Sequence, residues 1–218
     1  MKHVWVIIPA YNEGSRIKPV ITETKKYCKN IVVVDDGSRD DTVKVAESTG
    51  VTVLKHALNL GKGGALKTGC DYAVTNGAEV LIAMDADGQH EPSEIPALLE
   101  KLKGKDIVFG YRSLSGQMPF VFRFGNAVIN TVIHILYGIK LRDTQCGYRV
   151  FTASAYHKIR WQALDYTLES EMIANVGKHR LKYREHRIRT IYADRYKGTT
   201  VLDGVKIVLN MIIWRLRK

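Results

Sequence analysis

Apolar and polar positions along this chain fall into blocks of two kinds. Short runs rich in β-branched and aromatic residues, at His3 to Ile8, Ile31 to Val34, Val51 to Leu54, Val80 to Ala83 and Asp106 to Gly110, predict buried strands. Mixed stretches between them predict helices: from Gly14 or Ser15 to about Cys28, Asp40 to Ser48, the end of the loop Asn59 to Gly64 as far as about Asn76, and Ser93 to Lys103. Strand, crossover helix and strand within about thirty residues favour parallel pairing with right-handed connections. The expected fold class is α/β, a mostly parallel central sheet flanked by helices, with these strands forming a five-strand half. Ligands in such sheets bind beyond the carboxyl ends of the strands. The loop Pro9 to Glu13, the turn Asp35 to Ser38 and the residues after Ala83 all fall at that edge.

Beyond Gly110 the texture changes. Met118 to Tyr137 is strongly apolar and long enough to raise a membrane span. Arg123, Asn126, Asn130 and His134 recur at steps of three and four, which lines them along one helical face. That stripe suits a helix lying in a membrane interface or one packed on the sheet, and Phe120, Phe122 and Phe124 favour the interface. Asp143 to Tyr148 reads as a polar turn into a strand at Arg149 to Thr152, followed by helices at Ala153 to Arg160 and Leu168 to about Lys178 and an edge strand at Tyr183 to Thr190. Tyr192 to Thr200 is polar, and Val201 to Lys218 is again amphipathic. Asp203, Lys206, Asn210 and Arg217 make one face of it; Val205, Val208, Leu209, Ile212, Ile213, Trp214 and Leu216 make the other. Trp214 followed by Arg215, Arg217 and Lys218 suits an anionic headgroup layer, with a core or dimer helix as the alternative. Residues 1–218 are expected to form one domain, with 118–137 and 201–218 as amphipathic, membrane-associating segments.

Composition adds a charge constraint. A chain of 218 residues, 45% hydrophobic and 25% charged, suits a folded globular domain, but its net charge of +11 asks for a polyanionic partner. Nucleic acid, nucleotide phosphate and an anionic membrane surface all qualify. Cys28, Cys70 and Cys146 are odd in number and widely spaced, against a disulfide framework or zinc site and for a reducing compartment. No leader pattern is read at the N-terminus, so the expected location is cytoplasmic.

The candidate chemistry centres on Asp85-Ala86-Asp87-Gly88-Gln89, delivered by the apolar run Val80 to Ala83 into a turn. Side chains at i and i+2 of extended chain point the same way, so Asp85 and Asp87 can share a hard cation, with the Gln89 amide oxygen as third ligand. Mg²⁺ or Mn²⁺ held by so few protein oxygens keeps positions for water and a diphosphate. The competing reading is a strand end and a helix cap before Glu91-Pro92-Ser93. In the loop Asn59 to Gly64, Leu66 stands where both GxxxxGK[ST] and GxGxxG need a glycine, which excludes the ATPase and dinucleotide fingerprints. A helix N-terminus beside Lys62 remains, either an anion site or simple close packing. No Cys, Ser or His stands in a nucleophile setting, so transfer from a nucleotide donor is favoured over hydrolysis through a covalent enzyme intermediate.

Five ordered motifs now stand together: PAYNE at Pro9 to Glu13, VVVDDGSRDDT at Val32 to Thr42, NLGKGGAL at Asn59 to Leu66, MDADGQH at Met84 to His90 and DTQCGYRVF at Asp143 to Phe151. Over nearly its whole length the chain resembles the inverting family 2 glycosyltransferases of GT-A (Rossmann-like) fold, and more narrowly the polyprenyl- or dolichyl-phosphate mannose and glucose synthases. The resemblance implies that Pro9, Tyr11, Glu13 and Asp36 hold the nucleoside, with Asp35 close by, and that Asp85, Asp87 and Gln89 hold metal and diphosphate. It implies that Arg112 and Arg149 face the acceptor phosphate. Arg195 and Lys197, in RYKGTT, match a basic loop over the donor phosphates; Thr200 and Val201 replace that loop's usual Ser-Lys ending. The implied partners are a nucleoside diphosphate-sugar of UDP-glucose or GDP-mannose type, a polyprenyl or dolichyl phosphate, and a membrane surface on which the enzyme docks peripherally.

A lipid monophosphate is already anionic at neutral pH and needs no strong base, whereas a hydroxyl acceptor would need one, for which Glu169 and Glu171 are candidates. The rival within the enzyme class is transfer to a saccharide hydroxyl. The rival outside it, a basic nucleic-acid-binding module, rests on net charge alone and lacks any recognisable nucleic-acid motif.

Overall fold

The structure is a computed structural model that describes residues 3–112, 120–165, 167–189 and 201–216, without the side chains at 120–124, 126, 201–203 and 205. Among the described residues seven strands form one sheet in the order β3-β2-β1-β4-β6-β5-β7. They are β1 (Val4–Ala10), β2 (Asn30–Asp35), β3 (Thr52–Lys55), β4 (Val80–Ala83), β5 (Ile107–Arg112), β6 (Arg149–Thr152) and β7 (Tyr183–Ile188). Strands β1 to β4 are parallel, β7 is parallel to β5, and β6 alone runs antiparallel to both its neighbours. The mostly parallel sheet expected from the alternating pattern is therefore present.

One placement differs. The strands expected to form one five-strand half are not contiguous, because β6 lies between β4 and β5. Burial explains this: Val150 and Phe151 on opposite faces of β6 are both fully buried, as is Tyr148 before it, which an edge position would not achieve. The polar and basic β7, which exposes Arg184 and Arg187, takes the edge instead.

Alternation along the strands divides the core in two. Val6, Ile8, Val33, Ile82, Val108 and Val150 pack on one face under helices α1 (Ile17–Thr24), α2 (Thr42–Ser48) and α4 (Ile95–Leu102). Ile7, Val34, Leu81, Phe109 and Phe151 pack on the other, under α3 (Lys62–Thr75), α5 (Phe120–Tyr137), α6 (Ala153–Ile159), α7 (Leu168–Lys178) and α8 (Val201–Leu216). Helix α1 is shorter than expected at both ends, and the loop before it is tied to the start of α2 by Glu13 and Gly14, which donate their N–H groups to Thr42 Oγ1 and Asp40 Oδ2.

The two amphipathic segments are helical and pack on each other. Ile129 and Ile133 of α5 and Ile207 and Met211 of α8 are buried in the core, and the Tyr137 hydroxyl donates to the Met211 carbonyl at 2.6 Å. Among the described residues no helix is long and apolar enough to cross a membrane. The stripe expected on α5 is described only at Asn130 and His134; the side chains of Arg123, Asn126 and the three phenylalanines, like residues 190–200, lie outside the described set.

Helix α3 lies unusually close to the sheet. A Cβ at Gly69 would stand 2.4 Å from Ile7 Cγ2 and 2.9 Å from Val34 Cγ2. Gly69→Val is expected to lower unfolding free energy by roughly 2–3 kcal/mol through overpacking, read as a shift in the urea midpoint at unchanged slope.

Candidate active site

The loops after β1 and β2 are built as one unit. Asn12 N–H donates to Ser38 Oγ at 2.9 Å, and Arg39 N–H returns to Asn12 Oδ1 at 2.8 Å. Asn12 sits at φ 54°, a left-handed conformation that asparagine tolerates. Beside it Tyr11 is 43% exposed, and Glu13 pairs with Arg16 at 2.7 Å. Asp35 Oδ2 accepts from Ser38 N–H, while its Oδ1 is buried with no hydrogen-bond partner among the described residues.

Asp36 is placed otherwise than expected. Its carboxylate is 4% exposed and accepts from His56 Nδ1 (2.8 Å), Leu60 N–H (2.9 Å) and Gly61 N–H (2.7 Å), and His56 Nε2 accepts in turn from Thr68 Oγ1 at 3.0 Å. With both oxygens hydrogen-bonded inside the protein, Asp36 anchors the turn that begins α3.

That turn is clamped from the other side as well. Gly61 has φ +90°, a Cβ there would meet Leu164 O at 2.3 Å, and one at Gly63 would meet Ala163 O at 2.2 Å. Gly63 N–H donates to Leu164 O at 2.8 Å. Close packing, one of the two readings of this glycine-rich loop, thus accounts for its glycines. Lys62 between them reaches Asp85 Oδ1 at 2.7 Å and Glu169 Oε1 at 3.0 Å.

After β4 the chain turns through Gly88 at φ +79°. Asp87 Oδ1 accepts from Gln89 N–H at 3.0 Å, and Asp85 N–H donates to His90 Nδ1 at 3.2 Å. The neutral ring then carries its proton on Nε2, 3.8 Å from Asp85 Oδ2, and it stacks on Tyr148 with ring centroids 4.9 Å apart. Burial alone would raise the Asp85 carboxyl; the Lys62 ammonium more than reverses this and holds it at about 2. Burial would likewise lower Lys62, but Asp85 and Glu169 keep it charged well above the ordinary lysine range. Burial pulls His90 down, towards the neutral form.

Among the described residues no group of three or more His, Cys, Asp and Glu stands together as a metal cage. Asp85, Asp87 and the Gln89 amide are nevertheless hard oxygen donors on one turn, and this sparse set fits a small divalent ion that keeps water and phosphate oxygens as its remaining ligands. Asp85, with its side chain 26% exposed, is open to such an ion.

The two arginines diverge. Arg112 forms a forked pair with buried Asp143, Nε to Oδ2 at 2.7 Å and Nη2 to Oδ1 at 3.2 Å. Arg149, expected beside the acceptor phosphate, is 1% exposed and donates to the carbonyls of Cys146 (3.0 Å), Glu169 (2.8 Å) and Thr144 (2.9 Å). A guanidinium so committed braces the 143–147 turn against α7 instead of facing a ligand. Glu171, weighed as a base, accepts from Gln162 and Ala163 N–H and is structural. Arg195 and Lys197 lie outside the described residues. Pattern reading assigned no role to Asp143 or His90, although both stand inside the quoted motifs.

Residues 5–160 match glycosyl transferase family 2. The chain belongs to that family. It is a glycosyltransferase, and the expected resemblance holds. It is 32% identical over 245 residues to a UDP-N-acetylglucosamine–dolichyl-phosphate N-acetylglucosaminyltransferase of Methanococcus voltae, covering 100% of this chain and 98% of the relative. It is 37% identical to a protein of uncharacterized activity from Methanocaldococcus jannaschii, covering 98% and 92%. Its fold matches a crystal structure of glucosyl-3-phosphoglycerate synthase from Mycobacterium tuberculosis with Mn²⁺, uridine diphosphate and phosphoglyceric acid, at TM-score 0.75 and 19% identity over 98% of this chain and 78% of that one. The sheet and its flanking helices are thus the GT-A fold.

Asp36→Ala strips three donors of their shared acceptor at the head of α3. It is expected to cost roughly 2–4 kcal/mol of stability, measured by urea denaturation.

Proposed function

We propose that the enzyme transfers a hexose unit, with inversion, from a nucleoside diphosphate-sugar of the UDP-glucose or GDP-mannose type to a polyprenyl or dolichyl phosphate. The observation that carries this reading is the state of the carboxylates around the site. Asp36, Asp143 and Glu171 are spent on N–H groups and a guanidinium, and Glu169 is ion-paired with Lys62. A transferase whose carboxylates are so engaged suits an acceptor that arrives already ionised, as a phosphate monoester does. The relative from Methanococcus voltae, whose name states a dolichyl-phosphate acceptor, supports the same class.

In this reading Pro9, Tyr11 and Glu13 flank the nucleoside and the buried Asp35 Oδ1 takes an N–H of the base. Asp85, Asp87 and Gln89 hold Mg²⁺ or Mn²⁺, which when bound neutralises charge on the departing diphosphate. Lys62 lies beside the same diphosphate. An oxygen of the acceptor phosphate attacks the anomeric carbon in line, the bond from that carbon to the nucleoside diphosphate breaks, and no proton need leave the nucleophile. Arg112, held by Asp143, guides the acceptor phosphate; Arg149 positions the turn that carries Asp143. Arg195 and Lys197 remain candidates for covering the donor phosphates.

Docking on an anionic membrane is supported by α8. Leu209, Ile212, Ile213 and Leu216 repeat at i, i+3, i+4 and i+7 and are 43–77% exposed, with exposed Lys206 and Arg215 on the same helix and exposed Val128 and Ile135 on α5. The enzyme then works peripherally at the cytoplasmic face.

Asp87→Ala is expected to abolish transfer with the circular dichroism spectrum unchanged, and chelation should do the same reversibly; full turnover in metal-free buffer would sink the metal assignment. A screen of labelled UDP- and GDP-sugars against polyprenyl phosphate and saccharide acceptors, with liposomes present, should show label only on the lipid phosphate. Label on a saccharide hydroxyl selects the rival acceptor. The double variant I213E/L216E is expected to lose cosedimentation with anionic liposomes and to keep its turnover on a short, soluble polyprenyl phosphate.

A further inference from the structure

Lys62 is the ammonium that faces two carboxylates, Asp85 Oδ1 at 2.7 Å and Glu169 Oε1 at 3.0 Å. The two partners differ in what they have left to offer. Asp85 is 26% exposed and stands at the open side of the site, whereas Glu169 is 5% exposed and its Oε2 is buried with no hydrogen-bond partner among the described residues. Gly147 walls the pair on another side: a Cβ there would meet Asp85 Oδ2 at 2.8 Å and Lys62 Nζ at 2.9 Å. An ammonium and a divalent ion in contact with the same carboxylate repel each other, and the repulsion is large where water is excluded. A neighbouring acceptor with an unspent oxygen is the place where the displaced ammonium keeps its hydrogen bonds.

We propose that Lys62 is an internal counter-cation that holds Asp85 while no divalent ion is bound and passes on to Glu169 when one arrives, which makes Glu169 a positioning residue for the ion acting through Lys62. The inference rests on the reading that Asp85 and Asp87 hold a divalent ion. It predicts that this transferase binds the ion alone weakly, because the ion must first displace a bound cation.

The test is Mn²⁺ binding to the full chain without nucleotide, followed by calorimetry. Lys62→Met is expected to bind Mn²⁺ about tenfold more tightly, the scale of one partly exposed ion pair. Glu169→Gln is expected to bind it more weakly, since Lys62 then has only Asp85. In the double variant K62M/E169Q the effect of the glutamate should vanish, because its route of action is gone. Lys62→Met no tighter than the native chain, or an equal loss from Glu169→Gln in both backgrounds, overturns the proposal. Should Lys62→Met fail to fold, a crystal structure of the native chain with Mn²⁺ decides: Lys62 Nζ on Glu169 and out of reach of Asp85 Oδ1 supports the exchange, and Lys62 still on Asp85 refutes it. Native-like Mn²⁺ binding by both Asp85→Asn and Asp87→Asn would instead overturn the metal reading beneath it.

Discussion

One ammonium group ties the site together. Lys62 Nζ is bonded to the turn after β4 and to the first turn of α7, segments far apart in sequence, and it starts from a helix whose own head is fixed by two independent clamps. Asp36 holds that head through Leu60, Gly61 and His56, and the 161–165 segment holds it through the Leu164 carbonyl. A long, flexible lysine would normally lose much side-chain entropy in such a double contact. Here the backbone on either side is already immobile, and glycines at 61 and 63 are the condition for it, since any Cβ would strike a carbonyl.

The same economy appears among the buried charges. Among the described residues Arg149 has no carboxylate partner in direct contact; it is satisfied by backbone carbonyls from the 143–147 turn and α7, with the Phe109 ring beneath it at 5.2 Å. Burial lowers its pKa, with Glu169, Asp143 and Asp85 opposing that shift from a distance. The guanidinium acts as a brace: carbonyls that would be unsatisfied in an irregular turn receive donors, and the turn keeps one shape. Asp143, on that turn, fixes Arg112 by two parallel hydrogen bonds. Backbone order thus passes from a buried charge to one nearer the surface.

Much of this was legible in the sequence, and the misses have physical causes. Periodicity located the strands because a sheet covered on both faces leaves continuous apolar runs, as at Val32 to Val34 and Val80 to Ala83. It did not place β6 inside the sheet, because a run of four residues carries no signal of its neighbours. Asp85 and Lys62 were found through local motifs, but their contact joins residues that spacing does not relate. Asp36 and Arg149 were assigned outward roles because a charged residue in a motif reads as a ligand contact. Only three-dimensional placement shows their partners within the protein itself, backbone N–H groups and His56 for Asp36 and backbone carbonyls for Arg149. On α8, the apolar periodicity described two faces at once. Ile207 and Met211 serve the core, while Leu209, Ile212, Ile213 and Leu216 stay outside it, and a single-face pattern merges them.

The reversed strand β6 has a consequence for how such a site can diversify. Every parallel strand brings a loop to the working edge after it, so β1, β2 and β4 supply the loop at Tyr11, the turn at Asp35 and the turn at Asp85. Because β6 runs the other way, it brings the connection before it, the Asp143 to Tyr148 turn, to that same edge. One strand thus delivers to the cleft the connection that precedes it, while the parallel strands deliver the connections that follow them. The chain between β5 and β6 leaves and returns at the same edge, so its turns there can change length without shifting the register of β1 to β4, on which the turns at Tyr11, Asp35 and Asp85 stand.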